Sequence, residues 1–257
     1  MDNDYESTAA VFARYQKSAT GHLRYMLAQE NLTKMHNLSR PAQILDAAGG
    51  NGLNTDWLLR QGHSVTLFDL DPEMLLQGKE RLKRLNLAAR CDFVQGSIEE
   101  TDRFFPPNRF NLIVCHHILE YLNDPAQTLR SLSNVAAPAG ELSLVTLNPV
   151  SEVLRAIVFH KDANLAKAKL EDYSFDAKWF GNAKLFTFEQ IVTWCTESGW
   201  TLQDFRAIRV LADYIPDSEY DDEKKRKVFQ LEDTLGGLEP YRQIGRYLQF
   251  CFKKIQP

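Results

Sequence analysis

The amino-acid sequence predicts an α/β fold: a doubly wound, mostly parallel sheet of seven strands, with a helical cover inserted after the fifth strand. Short apolar segments alternate with amphipathic helical segments five times between residues 41 and 147. Such alternation is typical of parallel sheets whose strands are connected by helices. Residues 200–211 and 246–253 then alternate apolar and polar side chains, which predicts two final strands. We therefore expect ligands to bind at the carboxyl ends of the parallel strands.

Length and composition predict a single domain over residues 1–257, because the chain is 44% hydrophobic and can bury a substantial core. The net charge of −4 gives no overall attraction to nucleic acid, so any such contact requires a local basic patch. No run of eighteen apolar residues occurs, and the acidic N-terminus has no apolar segment behind it, which predicts a cytoplasmic protein without a membrane span. The four cysteines lack C-x-x-C spacing and lie in apolar runs, so we expect buried free thiols and no metal site.

The turn at residues 46–52 is the feature around which the rest of the chain is organised. A short buried strand is predicted to end at Asp46, which caps it, and three glycines then lead into a helix at 53–60. Glycine allows positive φ and close approach of backbone N–H groups, so the turn is either a ligand-binding loop or only a tight connection. Asp69 ends the second strand, at 64–69, about twenty residues later. Nucleotide-binding α/β units place a carboxylate there to accept ribose hydroxyls, which favours a ligand.

The remaining elements follow from periodicity and from the residues that begin them. Asp71-Pro72 and Asp124-Pro125 are predicted helix starts, because aspartate caps the first turn and proline suits the first helical position. Pro138-Ala-Gly140 is predicted to be a turn into the fifth strand. In chain order, we predict helices at 18–37, 72–86, 125–135, 188–195 and 221–235, and strands at 91–95, 110–116 and 141–147.

Residues 148–184 interrupt the alternation of strands and helices. Residues 150–170 are helical in composition, and an aromatic loop follows at 173–180. Because this segment follows the fifth strand, it is placed to cover the substrate side of the cleft. Its side chains either contact a substrate or form a solvated helix face with an aromatic packing stripe. Lysines are spread along it, at Lys161, Lys167, Lys169, Lys178 and Lys184.

Three basic side chains lie near the predicted site. His116 and His117 are adjacent on an extended chain and point to opposite faces, so they cannot readily bind one metal ion, and at least one should face the cleft. Arg24 lies beside the apolar stripe of the helix at 18–37. It is either a solvated arginine or, if that helix crosses the mouth of the site, the partner of a ligand carboxylate.

The turn Asp46-Ala-Ala-Gly-Gly-Asn-Gly52 resembles motif I of the class I S-adenosylmethionine-dependent methyltransferases, with Ala48 where that family usually has its first glycine. Over nearly its whole length, the chain is also similar to the tRNA 5-carboxymethoxyuridine methyltransferases. The similar segments are 20–24, 45–50, 61–65, 116–120, 198–200, 208–210, 213–214, 238–241 and 245–247. The resemblance implies a Rossmann-like sheet with an antiparallel pair at one edge, and S-adenosylmethionine as the cofactor.

The resemblance also implies roles for individual residues. Arg24 would bind the methionine carboxylate, Asp69 the ribose, and His116 the cofactor edge near the substrate. The other implied cofactor contacts are Asp46, Ala48 and Gly49 in the loop, Leu70 beside Asp69, and Ser97 and Ile98 over the adenine. The compact lysine cluster that this family has after the fifth strand is replaced here by spaced lysines.

An acceptor that is a carboxylate is already ionised, so we predict no catalytic base and no metal. Such an acceptor needs a cation or a hydroxyl to orient it, and Arg209, Tyr214 and Arg246 are the predicted substrate-binding residues. An amine or hydroxyl acceptor could instead use His116 or His117 as a base.

The predicted reaction converts 5-carboxymethoxyuridine at the tRNA wobble position to its methyl ester, with the anticodon loop lying over residues 148–184. Single-stranded RNA loops stack bases on aromatic side chains, which this segment contains. Two alternatives stay open: a methyltransferase of a small metabolite, such as a carboxylic acid or a quinol, and a cofactor-binding protein without catalytic activity.

Overall fold

The computed structural model describes residues 18–177, 181–216 and 221–255. Its main feature is a seven-stranded sheet in the order β3-β2-β1-β4-β5-β9-β8, beside a separate hairpin of β6 and β7. The strands are β1 Gln43–Ala47, β2 Ser64–Asp69, β3 Cys91–Gln95, β4 Phe110–His116, β5 Ala136–Leu147, β6 Ser174–Ala177, β7 Gly181–Lys184, β8 Trp200–Ile208 and β9 Tyr247–Lys254. β1 to β5 are parallel. β9 pairs antiparallel with both β5 and β8, so it runs against the other strands of this sheet. The predicted mostly parallel sheet of seven strands is confirmed.

Most helices begin at residues that can cap them. The helices are α1 Ala19–Met35, α2 Leu53–Arg60, α3 Pro72–Arg84, α4 Thr101–Phe104, α5 Pro125–Val135, α6 Pro149–Val158, α7 Ala163–Ala168, α8 Phe188–Glu197 and α9 Asp222–Gly236. Asp71 and Asp124 accept backbone N–H groups at the starts of α3 and α5, as the sequence predicts. Thr187 and Gln190 form a capping box at the start of α8, so this helix has a defined origin beside the sheet.

Both faces of the sheet are covered, as in other doubly wound folds. Ile44 and Leu45 are neighbours in β1 and therefore point to opposite faces, and each belongs to a different apolar cluster. Leu45 packs in the cluster that contains Leu129 of α5, whereas Ile44 packs with Leu58 of α2. Because both faces are buried, the parallel strands are nearly continuous apolar runs, which made them recognisable in the sequence.

The fifth strand begins earlier than the sequence predicts. β5 starts at Ala136 rather than Glu141, so the predicted boundary is wrong. Pro138-Ala-Gly140 lies within the strand as an irregularity, with a φ of 58° at Ala139. The ladder continues because Phe110 of β4 pairs with Ala136 before the register shifts. Strand pairing here overrides the local turn preference of proline and glycine.

The cover between β5 and α8 has more structure than its composition predicts. The segment predicted as one helical stretch forms α6 and α7, because Asp162 caps a new helix by accepting the N–H groups of Asn164 and Leu165. β6 lies in the predicted aromatic loop and pairs with β7, which follows that loop. Residues 178–180, which include Lys178 and two of the aromatic residues, lie outside the described residues.

All four cysteines are free thiols, and Cys115, Cys195 and Cys251 are buried, as predicted. Cys91 is only partly buried, so the prediction of burial is wrong for this residue. In the described ranges, no cluster of three or more histidine, cysteine or acidic residues could hold a metal ion. None of the described helices is long and apolar enough to cross a membrane.

Candidate active site

The glycine-rich turn leaves its outer surface open at one residue. A Cβ atom at Gly49 would lie 2.5 Å from a methyl carbon of Leu67 and 2.6 Å from the carboxyl carbon of Asp46, so packing requires glycine there. At Gly50, with a φ of 57°, no atom lies within 4 Å of an added Cβ. Ala48 has a φ of 55°, which explains why glycine is easier to accommodate at this position. A ligand can therefore approach the backbone of the turn at Gly50.

Asp46 lies inside β1 and faces the interior, so it does not cap the strand as predicted. The hydroxyl of Thr55 donates to its Oδ2 atom across 2.6 Å. Burial raises the pKa of the Asp46 carboxyl to about 6, and the charge of Asp69 adds to this rise, although the bond from Thr55 lowers it. Burial makes ionisation of this carboxyl unfavourable. A cationic ligand nearby would stabilise the ionised form and lower its pKa.

Asp69 connects the end of β2 to the glycine turn. Its Oδ2 accepts the N–H of Gly50 at 2.7 Å, and its Oδ1 accepts the N–H of Asp71 at 2.9 Å. Burial is the main cause of the raised pKa of this carboxyl, although both backbone bonds lower it. Each carboxylate oxygen has a second lone pair, so Asp69 can accept further hydrogen bonds. Leu70, which follows it, is 66% exposed and lies at the same edge.

The loop after β3 meets the same edge of the sheet. The N–H of Gly96 donates to the carbonyl of Asp69 across 3.0 Å, which holds this loop beside the end of β2. Ser97 caps a short turn by accepting the N–H of Glu99, and Ile98 is buried in the apolar core. The structure thus brings Ser97 and Ile98 close to Asp69. Their contact with an adenine stays a prediction.

His116 ends β4 with both ring nitrogens engaged. Its Nε2 lies 2.9 Å from the hydroxyl of Ser143, and its Nδ1 lies 3.3 Å from the side-chain nitrogen of Asn54 in α2. Burial lowers the pKa of His116 to about 3, so the ring is neutral. The ring of His117, at a φ of 60°, meets the ring of Tyr247 edge-on, with centroids 4.7 Å apart. Burial also holds the pKa of His117 well below its usual value.

Three predicted site arginines surround one aromatic ring. The guanidinium carbons of Arg24, Arg209 and Arg246 lie 5.7, 5.8 and 5.9 Å from the ring centroid of Tyr247. Arg24 also donates to the hydroxyl of Tyr25 across 3.2 Å. Each arginine is more than 90% buried, so the interpretation of Arg24 as a solvated arginine is wrong. We call these three arginines and Tyr247 the arginine layer.

The acceptor-side arginines of this layer are held by acids. Arg209 forms an ion pair with Asp213, and Arg246 forms one with Glu152 of α6. Arg209 has a φ of 63°, which ends β8 at Ile208, before the predicted end at residue 211. The N–H of Arg246 donates to the carbonyl of Arg209 across 2.8 Å, so the two residues are joined through the backbone as well.

Tyr214 lies beside this cluster rather than in the arginine layer. Its ring stacks on Phe159, just after α6, with centroids 5.9 Å apart and an interplanar angle of 14°. Arg155 lies over the same Phe159 ring and also pairs with Asp213. Tyr214 can therefore reach an acceptor only at the margin of the cluster. Its role as a substrate contact stays a prediction.

Several polar residues of the site were missed in the sequence. Glu120 accepts the backbone N–H of Leu147, and burial raises the pKa of its carboxyl to about 7. Two more site residues were missed: Tyr247, which lies among the three arginines, and Asp213, which pairs with Arg209. All three fall in segments that resemble the methyltransferases, which was the available signal. Glu152 had no such signal, because only folding brings α6 to Arg246.

The described residues fit S-adenosylmethionine, which the resemblance implies. The open backbone at Gly50 and the carboxylate of Asp69 suit a nucleoside whose ribose lies over the turn. The guanidinium group of Arg24 suits the carboxylate of an amino-acid tail. Asp46 and Glu120 are buried acids with raised pKa values. A cationic ligand close to them would lower these pKa values. The order of these groups, from the end of β2 to the arginine layer, matches a ligand with a nucleoside at one end and an amino acid at the other.

Comparison with known proteins finds methyltransferases. Residues 45–144 match the family model described as a methyltransferase domain. The chain is 25% identical to the tRNA 5-carboxymethoxyuridine methyltransferase of Escherichia coli strain K12, over 100% of this chain and 98% of that protein. It is 33% identical to the ubiquinone/menaquinone biosynthesis C-methyltransferase UbiE of Proteus mirabilis, over 47% of this chain and 51% of that protein.

A solved structure shows the same fold. The S-adenosylmethionine-dependent methyltransferase of Mesorhizobium loti superposes with a TM-score of 0.63 at 15% identity, over 93% of this chain and 100% of that one. The agreement extends across the whole seven-stranded sheet, including the part beyond residues 45–144. The chain thus carries a methyltransferase domain on a Rossmann-like sheet, and we conclude that it is a methyltransferase with S-adenosylmethionine as its cofactor.

Proposed function

We propose that this enzyme methylates the carboxylate of 5-carboxymethoxyuridine at the tRNA wobble position, giving the methyl ester. The observation that carries the proposal is the pair of buried arginines, Arg209 and Arg246, in the same layer as Arg24. A second anion site beside the site for the cofactor carboxylate supports an acceptor that is itself an anion. The full-length similarity to an enzyme named for this reaction supports the RNA substrate.

S-adenosylmethionine, when bound, supplies an electrophilic methyl group on a positively charged sulfur. The protein's task is to hold the acceptor oxygen in line with that methyl group at about 3 Å, and much of the rate enhancement comes from this positioning. Arg209 and Arg246 would orient the acceptor carboxylate through charge-assisted hydrogen bonds. Asp213 and Glu152 restrict both guanidinium groups, so the anion site is formed before the acceptor arrives.

The protonation states of His116 and His117 argue against these two side chains as the base for a neutral acceptor. An amine or hydroxyl acceptor needs a base with a pKa near the working pH. Burial lowers the pKa of His116 to about 3 and that of His117 well below its usual value, so both are weak bases. A carboxylate needs no base, because it is ionised already. Its charge and that of the sulfonium both disappear as they react, and a water-poor site favours this neutralisation.

The cover formed by residues 148–184 offers a surface for an RNA loop. A cavity of about 440 Å³ lies between this cover and the start of α8. Its lining includes exposed apolar side chains, Leu170 and Tyr173, as well as Phe188 and Phe205. Lys161, Lys167 and Lys184 are exposed on the cover and could contact phosphates. These features support a base stacked on an aromatic surface with the backbone held by spaced lysines.

The test compares two tRNA preparations that differ only in the wobble carboxymethoxy group. Purified enzyme is incubated with each preparation and with cofactor labelled on the methyl group. We expect label only in the tRNA that carries the carboxymethoxy group, and we expect mild alkali to release it, because the product is an ester. Equal labelling of both preparations, or of neither, would reject the proposal.

A second candidate function is methylation of a small metabolite, and the similarity to UbiE over about half of each chain favours it. The two functions differ in their dependence on salt. Binding of RNA phosphates releases counterions, so tRNA affinity should fall steeply as salt rises, whereas a small carboxylate or quinol releases few. Binding of bulk tRNA that is weak and independent of salt would favour the metabolite. The alternative of a protein without catalytic activity is wrong, because the chain is a methyltransferase.

A further inference from the structure

Tyr247 occupies a fixed position between the two ends of the site. It is the first residue of β9 and pairs with Leu147 of β5 on one side and Ile208 of β8 on the other. The edge-on contact with His117 fixes the ring further, at a centroid distance of 4.7 Å. His117 is itself held by its N–H, which donates to the carbonyl of Val145 at 2.9 Å. The backbone pairing on both sides and the contact with His117 therefore hold the ring in place at the end of β9.

The three cations around this ring come from different parts of the chain. Arg24 lies in α1, Arg209 follows β8, and Arg246 precedes β9. Each guanidinium carbon lies within 6 Å of the Tyr247 centroid, the distance over which an aromatic ring attracts a cation. The three positive charges repel one another, and the ring is the surface that all of them share. Arg24 belongs to the cofactor end of the site, and the other two belong to the acceptor end.

We propose that Tyr247 is a positioning residue that couples the two ends of the site, because its ring orients Arg24 towards the cofactor carboxylate and Arg209 and Arg246 towards the acceptor anion. Ionisation of its phenol would then weaken anion binding. This inference rests on the proposed function for the acceptor end only. At the cofactor end it rests on the geometry of Arg24 and Tyr247. Tyr247 does not itself take part in the methyl transfer.

The ionisation follows from the same geometry. Burial alone would raise the pKa of Tyr247, but the charges of Arg24, Arg209 and Arg246 outweigh it and lower the pKa to about 8. The phenolate then adds a negative charge beside the cations that a ligand carboxylate needs. A bound carboxylate favours the protonated phenol, so affinity should fall as the pH rises above about 8. Other charged or titratable groups lie around the ring and its arginines. Asp213, His117 and Tyr121 interact with Tyr247. Glu120 and Glu152 interact with its arginines, and Arg155 pairs with Asp213.

Two of these neighbours, His117 and Tyr121, do not titrate near pH 8. Burial keeps His117 neutral, and it raises the pKa of Tyr121 to about 12. Burial raises the pKa of Glu120 to about 7, close to that of Tyr247, so the comparison with Tyr247→Phe is what separates the two groups. A change in affinity above pH 8 that disappears on removal of the phenol oxygen can therefore be assigned to Tyr247.

The experiment measures binding of S-adenosylhomocysteine and of 5′-methylthioadenosine, which lacks the amino-acid tail, by calorimetry between about pH 6.5 and 9.5. The variants are Tyr247→Phe, which keeps the ring, Tyr247→Leu, which removes it, and Tyr241→Phe as a control at an exposed tyrosine. At pH 7 we expect Tyr247→Leu to bind S-adenosylhomocysteine roughly tenfold more weakly, because a desolvated cation–π contact is lost. Methylthioadenosine should change less than about twofold.

The pH series provides the sharper result. Wild-type enzyme and Tyr241→Phe should lose S-adenosylhomocysteine affinity above pH 8, by up to about tenfold per pH unit, and Tyr247→Phe should lose much less. Identical pH dependence in wild type and Tyr247→Phe would overturn the proposal. Equal weakening of both ligands in Tyr247→Leu would also overturn it, because it would show a general packing role. If Tyr247→Leu does not fold, the comparison with Tyr247→Phe still decides.

The acceptor end is tested separately with tRNA that carries the wobble carboxymethoxy group. We expect Tyr247→Leu to raise its KM about tenfold and Tyr241→Phe to leave it unchanged. The cofactor measurements need no acceptor, so they succeed or fail independently of the tRNA proposal. If wild-type enzyme does not label this tRNA, the proposed substrate fails while the cofactor result stands. If wild type labels it and Tyr247→Leu has a normal KM, the coupling of the two ends is rejected.

Discussion

The backbone N–H of Gly50 donates to the Oδ2 atom of Asp69 across 2.7 Å. This bond ties the glycine turn after β1 to the end of β2, while the other carboxylate oxygen of Asp69 accepts the N–H of Asp71 at 2.9 Å. The residue that we expect to accept the ribose hydroxyls therefore also shapes the loop on which the cofactor lies. Substitutions at Asp69 have to separate these two effects.

We expect Asp69→Ala to weaken S-adenosylmethionine binding at least tenfold, because each hydrogen bond from a hydroxyl to a carboxylate contributes about 1.5–3 kcal/mol. Asp69→Asn keeps an oxygen that can accept the N–H of Gly50 but loses the charge, so it should fall between wild type and alanine. Calorimetry measures all three. Asp92→Ala is the control, because this aspartate lies on the neighbouring strand with 71% of its side chain exposed. An unchanged affinity in Asp69→Ala would remove this residue from the site.

Arg24→Ala should weaken S-adenosylhomocysteine and leave 5′-methylthioadenosine nearly unaffected, because only the first ligand has a carboxylate. The lost charge-assisted bond corresponds to about 1.5–3 kcal/mol, which is roughly ten- to a hundredfold in affinity. Arg60→Ala is a matched control at an arginine whose side chain is 53% exposed. Equal losses for the two ligands would show that Arg24 acts through packing on Tyr25 and Tyr247 instead.

Arg209→Gln should lower turnover of the acceptor much more than it lowers cofactor affinity. Glutamine is shorter and uncharged, but it carries a Cβ and meets the same backbone strain at a φ of 63°, so the change removes the guanidinium group and leaves the turn comparable. We expect kcat/KM to fall by about tenfold or more while the cofactor affinity changes less than about threefold. Arg103→Gln, at an arginine with 74% of its side chain exposed, is the control. A loss of cofactor affinity as large as the loss of kcat/KM would show that Arg209 acts at the cofactor end of the site and not at the acceptor end.

Asp46 should lower the free energy of unfolding as the pH rises, which is the opposite of the usual effect of an aspartate. Burial raises its pKa from 3.8 to about 6, so the folded state favours the protonated carboxyl. The resulting stabilisation is fully present below pH 3.8 and is lost as the pH rises through about 6, which corresponds to roughly 3 kcal/mol at most. Asp46→Asn should therefore raise the unfolding temperature of the cofactor-free protein at pH 7.5 and change it little at pH 4.

Thermal unfolding at the two pH values tests this expectation. Asparagine can still accept the hydroxyl of Thr55, so the substitution removes mainly the cost of the buried charge. Asp102→Asn is the control, because Asp102 is exposed. A lower unfolding temperature of Asp46→Asn at pH 7.5 would show that the ionised carboxylate stabilises the fold.

Local patterns in the sequence were sufficient for most of the sheet and for one end of the site. The strands β2, β3 and β4 and the helix α2 have the predicted bounds, because their periodicity and their glycine or aspartate boundaries are local features. Asp69 could be placed beside the glycine turn for the same reason, since consecutive βα units bring the ends of β1 and β2 together. The start of β5 was wrong, because pairing with β4 is a long-range interaction that outweighs the turn preference at residues 138–140.

The arginine layer was decided by the tertiary structure alone. The sequence singled out Arg24, Arg209 and Arg246 separately, but it had no means of showing that they share the ring of Tyr247. Their meeting depends on the antiparallel register of β5, β9 and β8 and on the packing of α1 across that edge, which no local pattern records. The same packing makes burial and neighbouring charge set the pKa values of Asp46, His116 and Tyr247, because desolvation and Coulomb interactions act through space rather than along the chain.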